Sequence, residues 1–256
     1  LSAHLRLIPF TLRESKEYLF SRSVELTDKQ ICEVYMITGG VPKYLSYLER
    51  GFSSLQNIHY LCFTPQSPLL TEFHKLYHSL FQNAESHLQI MRTLAKKRHG
   101  ISRSELIKHS KAPNNGKTSQ VLHELEESGF ITTLPQAGKK MRDLHYYLSD
   151  EYTLFYLKWI EPEKGALLQG VEKEYWMKRQ TLPSWNSWSG FAFESLCLKH
   201  VTEIKEALKI GGVSSVSGYW KSVIDGVKES EIDLVIDRRD QCINLCEIKF
   251  CSEEYT

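Results

Sequence analysis

The sequence predicts an α+β chain of more than one domain, and three observations carry that prediction. Helix-start signals recur through the first half, strand-period alternation is confined to two short regions, and 256 residues suffice for two domains or three small ones. The expected division is a helical region over 1–66, a unit of helices closed by a hairpin over 67–160, and a helix leading into strands over 161–256.

Residues 1–10, LSAHLRLIPF, read as an extended strand leading into a folded unit. Thr11 followed by Glu14 is a capping box that opens a helix through RESKEYLFSR, and Thr27 with Gln30 repeats the device before ICEVYMITGG. Gly39 and Gly40 stop that helix, and Pro42 suits the first turn of the next, VPKYLSYLER, which ends near Gly51. From Ser67 to Gln82, Leu69, Leu70, Phe73, Leu76, Tyr77, Leu80 and Phe81 fall at helical spacing and predict a core stripe.

The middle region is punctuated throughout. HLQIMRTLAKKR predicts one helix, Ser102 with Glu105 caps a second, and after the turn KAPNNGK a third runs to Gly129. ITTLPQ and DLHYYLSD then predict two strands around AGKKMR. Three helices and a hairpin in that order make a winged helix-turn-helix pattern. When this fold reads DNA, the N-terminal residues of its third helix reach base edges, which here are Asn115, Lys117, Thr118 and Gln120. Lys139, Lys140 and Arg142 in the wing would meet phosphate, giving salt-dependent affinity without sequence information. Glu124, Glu126 and Glu127 make the later part of that helix acidic, so a protein-contacting or spacer role stands beside the DNA-binding one.

YTLFYLKW, from Tyr152 to Trp159, predicts a helix packing the middle unit onto the last one, and 160–180 reads as linker plus helix. Trp176, Trp185 and Trp188 are expected to form an interdomain core rather than a base-stacking platform. A helix from Phe191 to Leu208 carries Glu194, Gly211 and Gly212 break it, and VSSVSGYWKS supplies a first strand. The stretch EIDLVIDRRDQCINLCEIKF then reads as a hairpin. A three-residue turn at Arg239 to Gln241 sets Asp233 opposite Glu247, and alternation puts Lys249 on the face of Glu247. Two carboxylates so placed repel unless they share a proton or a hard divalent cation.

An Asp, then Glu-x-Lys on the next strand, with a glutamate on a preceding helix (GFAFESLCLKHV), resembles the PD-(D/E)XK nuclease superfamily. The resemblance implies a restriction-endonuclease-like α/β domain in which Asp233 and Glu247 hold Mg²⁺ or Mn²⁺, Lys249 orients the attacking water and Glu194 completes the shell. That core also has a further helix and strand after Glu-x-Lys, where this sequence offers only Cys251 to Thr256. The domain is therefore expected to be incomplete, with an exposed sheet edge unless another chain or a missing C-terminus covers it, and an oligomer is among the expected partners. FTLRES followed by ITGGVPKYL resembles the lid of archaeal-type AAA+ ATPases related to the STAND class, whose segment order matches. That resemblance implies an ATPase core or subunit as partner and ATP in a parent protein. No G-x-x-x-x-G-K-[ST] occurs here, so ATP hydrolysis by this chain alone is not expected.

A net charge of +1 advertises neither nucleic acid nor membrane. Locally, eleven lysines and arginines stand against six acids from His87 to Asp150, and eight against twelve from Glu194 to Thr256. A basic middle and an acidic end suit a DNA-contacting unit followed by a metal-binding one. The six cysteines form no C-x-x-C pair and no apolar run is long enough for a membrane span, so cytoplasmic residence with cysteines mostly in the core is expected. Two readings result: a DNA-acting chain with a Mg²⁺-dependent nuclease centre, or a non-catalytic arm docking DNA or protein. A strand-end salt bridge at Lys249 is the structural alternative.

Overall fold

A computed structural model of the chain describes residues 7–97, 100–135, 144–224 and 227–251. The protein is mostly helical, with two small antiparallel three-stranded sheets. Both early capping boxes form. Thr11 starts α1 (Leu12–Ser21) and Thr27 starts α2 (Asp28–Thr38), each with its side chain accepting from the third helical N–H and its own N–H held in return. Gly39 and Gly40 both have positive φ, 62° and 72°, which ends α2. Pro42 then opens α3 (Pro42–Leu45). The expected strand before Thr11 is not a ladder over 7–10. Phe10 instead bonds Gly40 O through its N–H at 2.9 Å, and Tyr35 Oη donates to Phe10 O at 2.7 Å. A further capping box, Ser53 with Gln56, starts α4 (Ser54–Cys62), a helix not expected from the sequence.

In the middle, α5 (Pro68–Leu80) and α6 (Ala84–Leu94) lead to a short β1 (Ile101–Ser102), then α7 (Arg103–Ser110) and α8 (Gly116–Glu127). β2 (Ile131–Pro135) and β3 (Leu144–Leu148) come next, and β3 lies between β1 and β2. Two residues are too few to show a period, so β1 has no signature in the sequence. Its Ile101 pairs with Tyr146.

α9 (Glu151–Phe155) continues through a π turn to Ile160 and is followed by α10 (Lys164–Gln169) and α11 (Tyr175–Gln180). The helix bearing Glu194 differs from expectation. It is α12 (Pro183–Lys199), starting on Pro183 eight residues earlier, and it ends at His200, after which α13 (Val201–Ala207) is separate. Trp185 and Trp188 therefore belong to the same helix as Glu194. With Trp159 and Trp176 they are buried, and their rings meet at 5.0 Å (Trp176–Trp185) and 5.2 Å (Trp185–Trp188). Phe63 at the end of α4 stacks on Trp176 at 4.7 Å, and Phe155 of α9 meets Trp188 at 5.4 Å. This aromatic cluster joins all three regions, and one buried core runs from Leu19 to Leu196. Each ring pair adds roughly 0.5–1.5 kcal/mol beyond area burial.

β4 (Ser215–Ile224), β5 (Val227–Arg238) and β6 (Ile243–Cys246) form the second sheet in that spatial order. β5 buries Leu234 and Ile236, whereas Ile243 and Leu245 on β6 are exposed. All six cysteines are free thiols. Cys62 is buried, but Cys242 and Cys251 are exposed, so the expectation that cysteines mostly fill core fails for the last hairpin.

Candidate functional site

The hairpin register decides which side chains meet. Asp237 pairs with Ile243 and Leu234 with Cys246, Arg238 N–H closes the turn on Cys242 O at 2.9 Å, and the loop is Arg239–Asp240–Gln241 with Gln241 at φ 67°. This is the three-residue turn with a left-handed last position. The ladder ends at Leu234 and Cys246; carried one step further, its register would set Asp233 opposite Glu247. The chain past β6 keeps strand alternation: residues 243, 245, 247 and 249 are exposed, and 244, 246, 248 and 250 are half-buried. Glu247 and Lys249 thus share a face and form an ion pair. Asp233 Oδ2 accepts from Ile248 N–H at 2.8 Å, which fixes the Glu-x-Lys backbone where the ladder has ended. Phe250 packs on Phe193 of α12, with ring centroids 5.1 Å apart.

On α12, Phe191, Glu194, Ser195 and Leu198 recur at three- and four-residue spacing and so share one face. That face and Asp233 line a cavity of about 420 Å³, whose other wall is Ile131, Leu134, Tyr147 and Leu148 of the middle sheet. Charge reports the same proximity. Burial pushes the Cys197 thiol up to about 12, with Cys32, Glu194 and Asp233 adding to the rise. The hydrogen bond to Glu247 raises the Lys249 pKa, and the charges of Glu247, Asp233 and Glu194 act in the same direction. The structure therefore brings Asp233, Glu247 and Lys249 to one strand end and puts Glu194 in a wall shared with Asp233. Among the described residues, no three histidines, cysteines or acids form a ready-made ligand group for a metal ion. The donors nearest that role are carboxylate oxygens, which suit a hard cation such as Mg²⁺ rather than zinc. Asp233 and Glu247 each already hold a donor of the protein itself.

The proposed base-reading residues separate. Asn115 is the N-cap of α8, its Oδ1 accepting from Lys117 N–H at 3.1 Å and Thr118 N–H at 3.3 Å. Thr118 is a correction: it is buried and its hydroxyl donates to Pro113 O, so it faces the helix packing and not a groove. Lys117 is exposed, and exposed Gln120 donates to Glu124 Oε1 at 2.8 Å. Lys139, Lys140 and Arg142 lie outside the described residues. Arg103, not singled out by any sequence pattern, forks to Asn114 Oδ1 at 2.8 Å and Ser119 Oγ at 2.9 Å, bracing the turn before α8. Its only signal is weak, being one arginine next to a capping serine.

Residues 156–255 match the DUF234 family. That family is described as archaeal and bacterial proteins of unknown function, and the matched span holds Glu194, Asp233, Glu247 and Lys249. Across 258 residues the chain is also 22% identical to the uncharacterized protein MJECL04 of Methanocaldococcus jannaschii, covering 96% of this chain and 53% of that protein. The chain thus spans about half the length of this relative. No solved structure matches. Among the described residues, no helix is long and apolar enough to cross a membrane.

Proposed function

We propose that 161–256 is a restriction-endonuclease-like module that hydrolyses DNA phosphodiester bonds with Mg²⁺ or Mn²⁺, joined to a winged helix over 67–160. The hairpin register, which carried one step past the ladder would set Asp233 opposite Glu247, with Lys249 paired to Glu247 on the same face, carries this reading. Asp233 and Glu247 would hold the cation, with Glu194 supporting from α12. The ion supplies charge neutralisation at the scissile phosphate and a more acidic water. Lys249, the ammonium on the Glu247 face, acts as a hydrogen-bond donor that positions the nucleophilic water and not as a base. Asp233, by accepting from Ile248 N–H, keeps Glu247 and Lys249 in place relative to the hairpin.

The order of α6, β1, α7, α8, β2 and β3, with β3 central, supports the winged helix, and exposed Lys117 is its best described phosphate contact. In this reading 1–66 is the lid-like part of a AAA+-type parent, which supplies the ATP-binding core. One observation favours a non-catalytic docking arm as the second reading: Asp233 and Glu247 already have protein donors.

Plasmid DNA incubated with Mg²⁺ or Mn²⁺ tests the proposal. Metal-dependent nicking lost in Glu247→Ala and Lys249→Ala is expected. DNA binding without cutting under every metal condition would favour the docking arm.

A further inference from the structure

The ends of α6 and α7 border a groove of about 680 Å³. Arg92, Lys96, Lys97, His109 and Lys111 line it, with Glu85 as the one acid among the described lining residues. Arg92 is already answered, since its Nε and Nη2 donate to Glu161 Oε1 at 3.2 and 2.8 Å. The three lysines are not. Among the described residues, Lys96, Lys97 and Lys111 have neither an ion pair nor a side-chain hydrogen bond. The neutral lining is committed within the protein: Gln89 donates to Ser110 O, tying α6 to α7, and Thr93 Oγ1 donates to Gln89 O at 2.8 Å. Lys111 also ends α7 at φ 54°, a left-handed cap that glycine adopts at less cost. A lysine there adds charge to the groove where the backbone alone favours another residue.

We infer that this groove holds the phosphate backbone of duplex DNA through Lys96, Lys97 and Lys111, apart from the exposed α8 residues. A phosphodiester strand asks only for cations and polar donors, which is what the groove offers. An acidic protein segment needs in addition apolar pockets or a sheet edge to seat its side chains or main chain. Among the described residues, no apolar side chain lines this groove. Its placement suits the duplex that α8 would meet. Lys111 stands six residues before Lys117, and Arg103 braces the turn between them through Asn114 and Ser119. His87 of α6 holds Glu124 of α8 at 2.8 Å, so groove and helix are fixed to one another. Past Arg92 and Lys96 a second groove continues by Lys158 to Ser184 and Ser187 near the start of α12, extending the path of the strand. The inference rests on the winged-helix reading for its choice of DNA, and on neither metal nor cutting. Such contacts carry no sequence information, so they make affinity depend on salt and not on sequence.

The test measures the salt slope of binding in EDTA, by fluorescence anisotropy of a short labelled duplex titrated with the full chain. The groove variant combines Lys96→Gln, Lys97→Gln and Lys111→Gly, the glycine suiting the left-handed position so that the fold is kept. Its slope should fall by about three, one for each lysine. A control variant removes the same charge from exposed positions that line neither groove, Arg13→Gln, Arg50→Gln and Lys173→Gln, and should keep the wild-type slope. An unchanged slope in the groove variant overturns the inference, as does an equal fall in the control. Unlabelled duplex should displace the probe far better than polyglutamate of equal charge, and equal displacement would point to an acidic protein partner and overturn the choice of DNA. Slope lost in Lys117→Ala but kept in the groove variant would defeat the groove and leave the α8 reading standing. Slope lost in the groove variant but kept in Lys117→Ala would support the groove and defeat the α8 contact.

Discussion

Lys199 Nζ lies 3.0 and 2.9 Å from the two carboxylate oxygens of Glu151, at the point where the three regions of the chain meet. Glu151 opens α9 immediately after the middle sheet, Lys199 ends α12, and the carboxylate sits against Gly39 of the helical region. Next to it, His200 Nε2 accepts from Leu12 N–H at 3.1 Å. Glu151 is almost fully buried and Lys199 is about one-third exposed, so removing the lysine strands a desolvated carboxylate. Lys199→Ala is expected to lower stability by about 2 kcal/mol, below the usual range for fully buried pairs because of that exposure. Urea unfolding of wild type and variant measures it.

The same pair sets a pH dependence. Burial raises the Glu151 pKa, and Lys199 lowers it only in part. A carboxyl whose folded pKa lies above its unfolded value favours folding most below the unfolded pKa, and that contribution is lost as pH rises through the folded pKa. Glu151→Gln should therefore flatten the loss of stability on going from acid toward neutral pH, and Lys199→Ala should steepen it. Thermal unfolding across that interval checks both signs.

Gly39 and Gly40 are each required for two reasons. A Cβ on Gly39 would lie 2.8 Å from Glu151 Oε2 and one on Gly40 2.1 Å from Phe10 O, and both positions have positive φ. Alanine at either should cost about 1–3 kcal/mol, measured by the same urea unfolding. Gly40→Ala is expected to be the worse, because its clash is with backbone while a side-chain carboxylate can shift.

On α8, Lys117→Ala should weaken DNA binding evenly across sequences and reduce the salt slope by about one. Thr118→Val should lower stability instead, since it removes the buried bond to Pro113 O, and should leave the slope of the folded protein unchanged. Fluorescence anisotropy at graded salt separates the two effects.

Asp233→Ala should speed amide exchange at Ile248, whose N–H loses its acceptor. Asp233→Asn keeps a side-chain oxygen there and should preserve most of that protection.

Local signals in the sequence were legible where one residue type settles a backbone choice. Thr11, Thr27 and Ser102 named their helix starts, Gly39 and Gly40 their stop, and the three-residue turn at Arg239 to Gln241 gave the register of the β5–β6 hairpin. Trp176, Trp185 and Trp188 lie in the buried core as expected, although Pro183 does not stand out as the start of α12. Long-range pairing was not legible. Glu151 and Lys199 lie 48 positions apart with no periodic signal linking them, and the Tyr147 wall faces Glu194 only because two separate units pack together. Thr118 fails for a simpler reason: position near the start of a helix does not say which face looks inward.

If Asp233 and Glu247 form one divalent-cation site beside Lys249, Mn²⁺ binding followed by electron paramagnetic resonance will report it without any need for DNA. Saturable binding by wild type, weakened at least ten-fold in both Asp233→Asn and Glu247→Gln, is the predicted result, ten-fold being about the low end for loss of a ligand or its support. Equal Mn²⁺ affinity in wild type and both variants would contradict it, leaving Glu247 and Lys249 as an ordinary ion pair at the end of a strand.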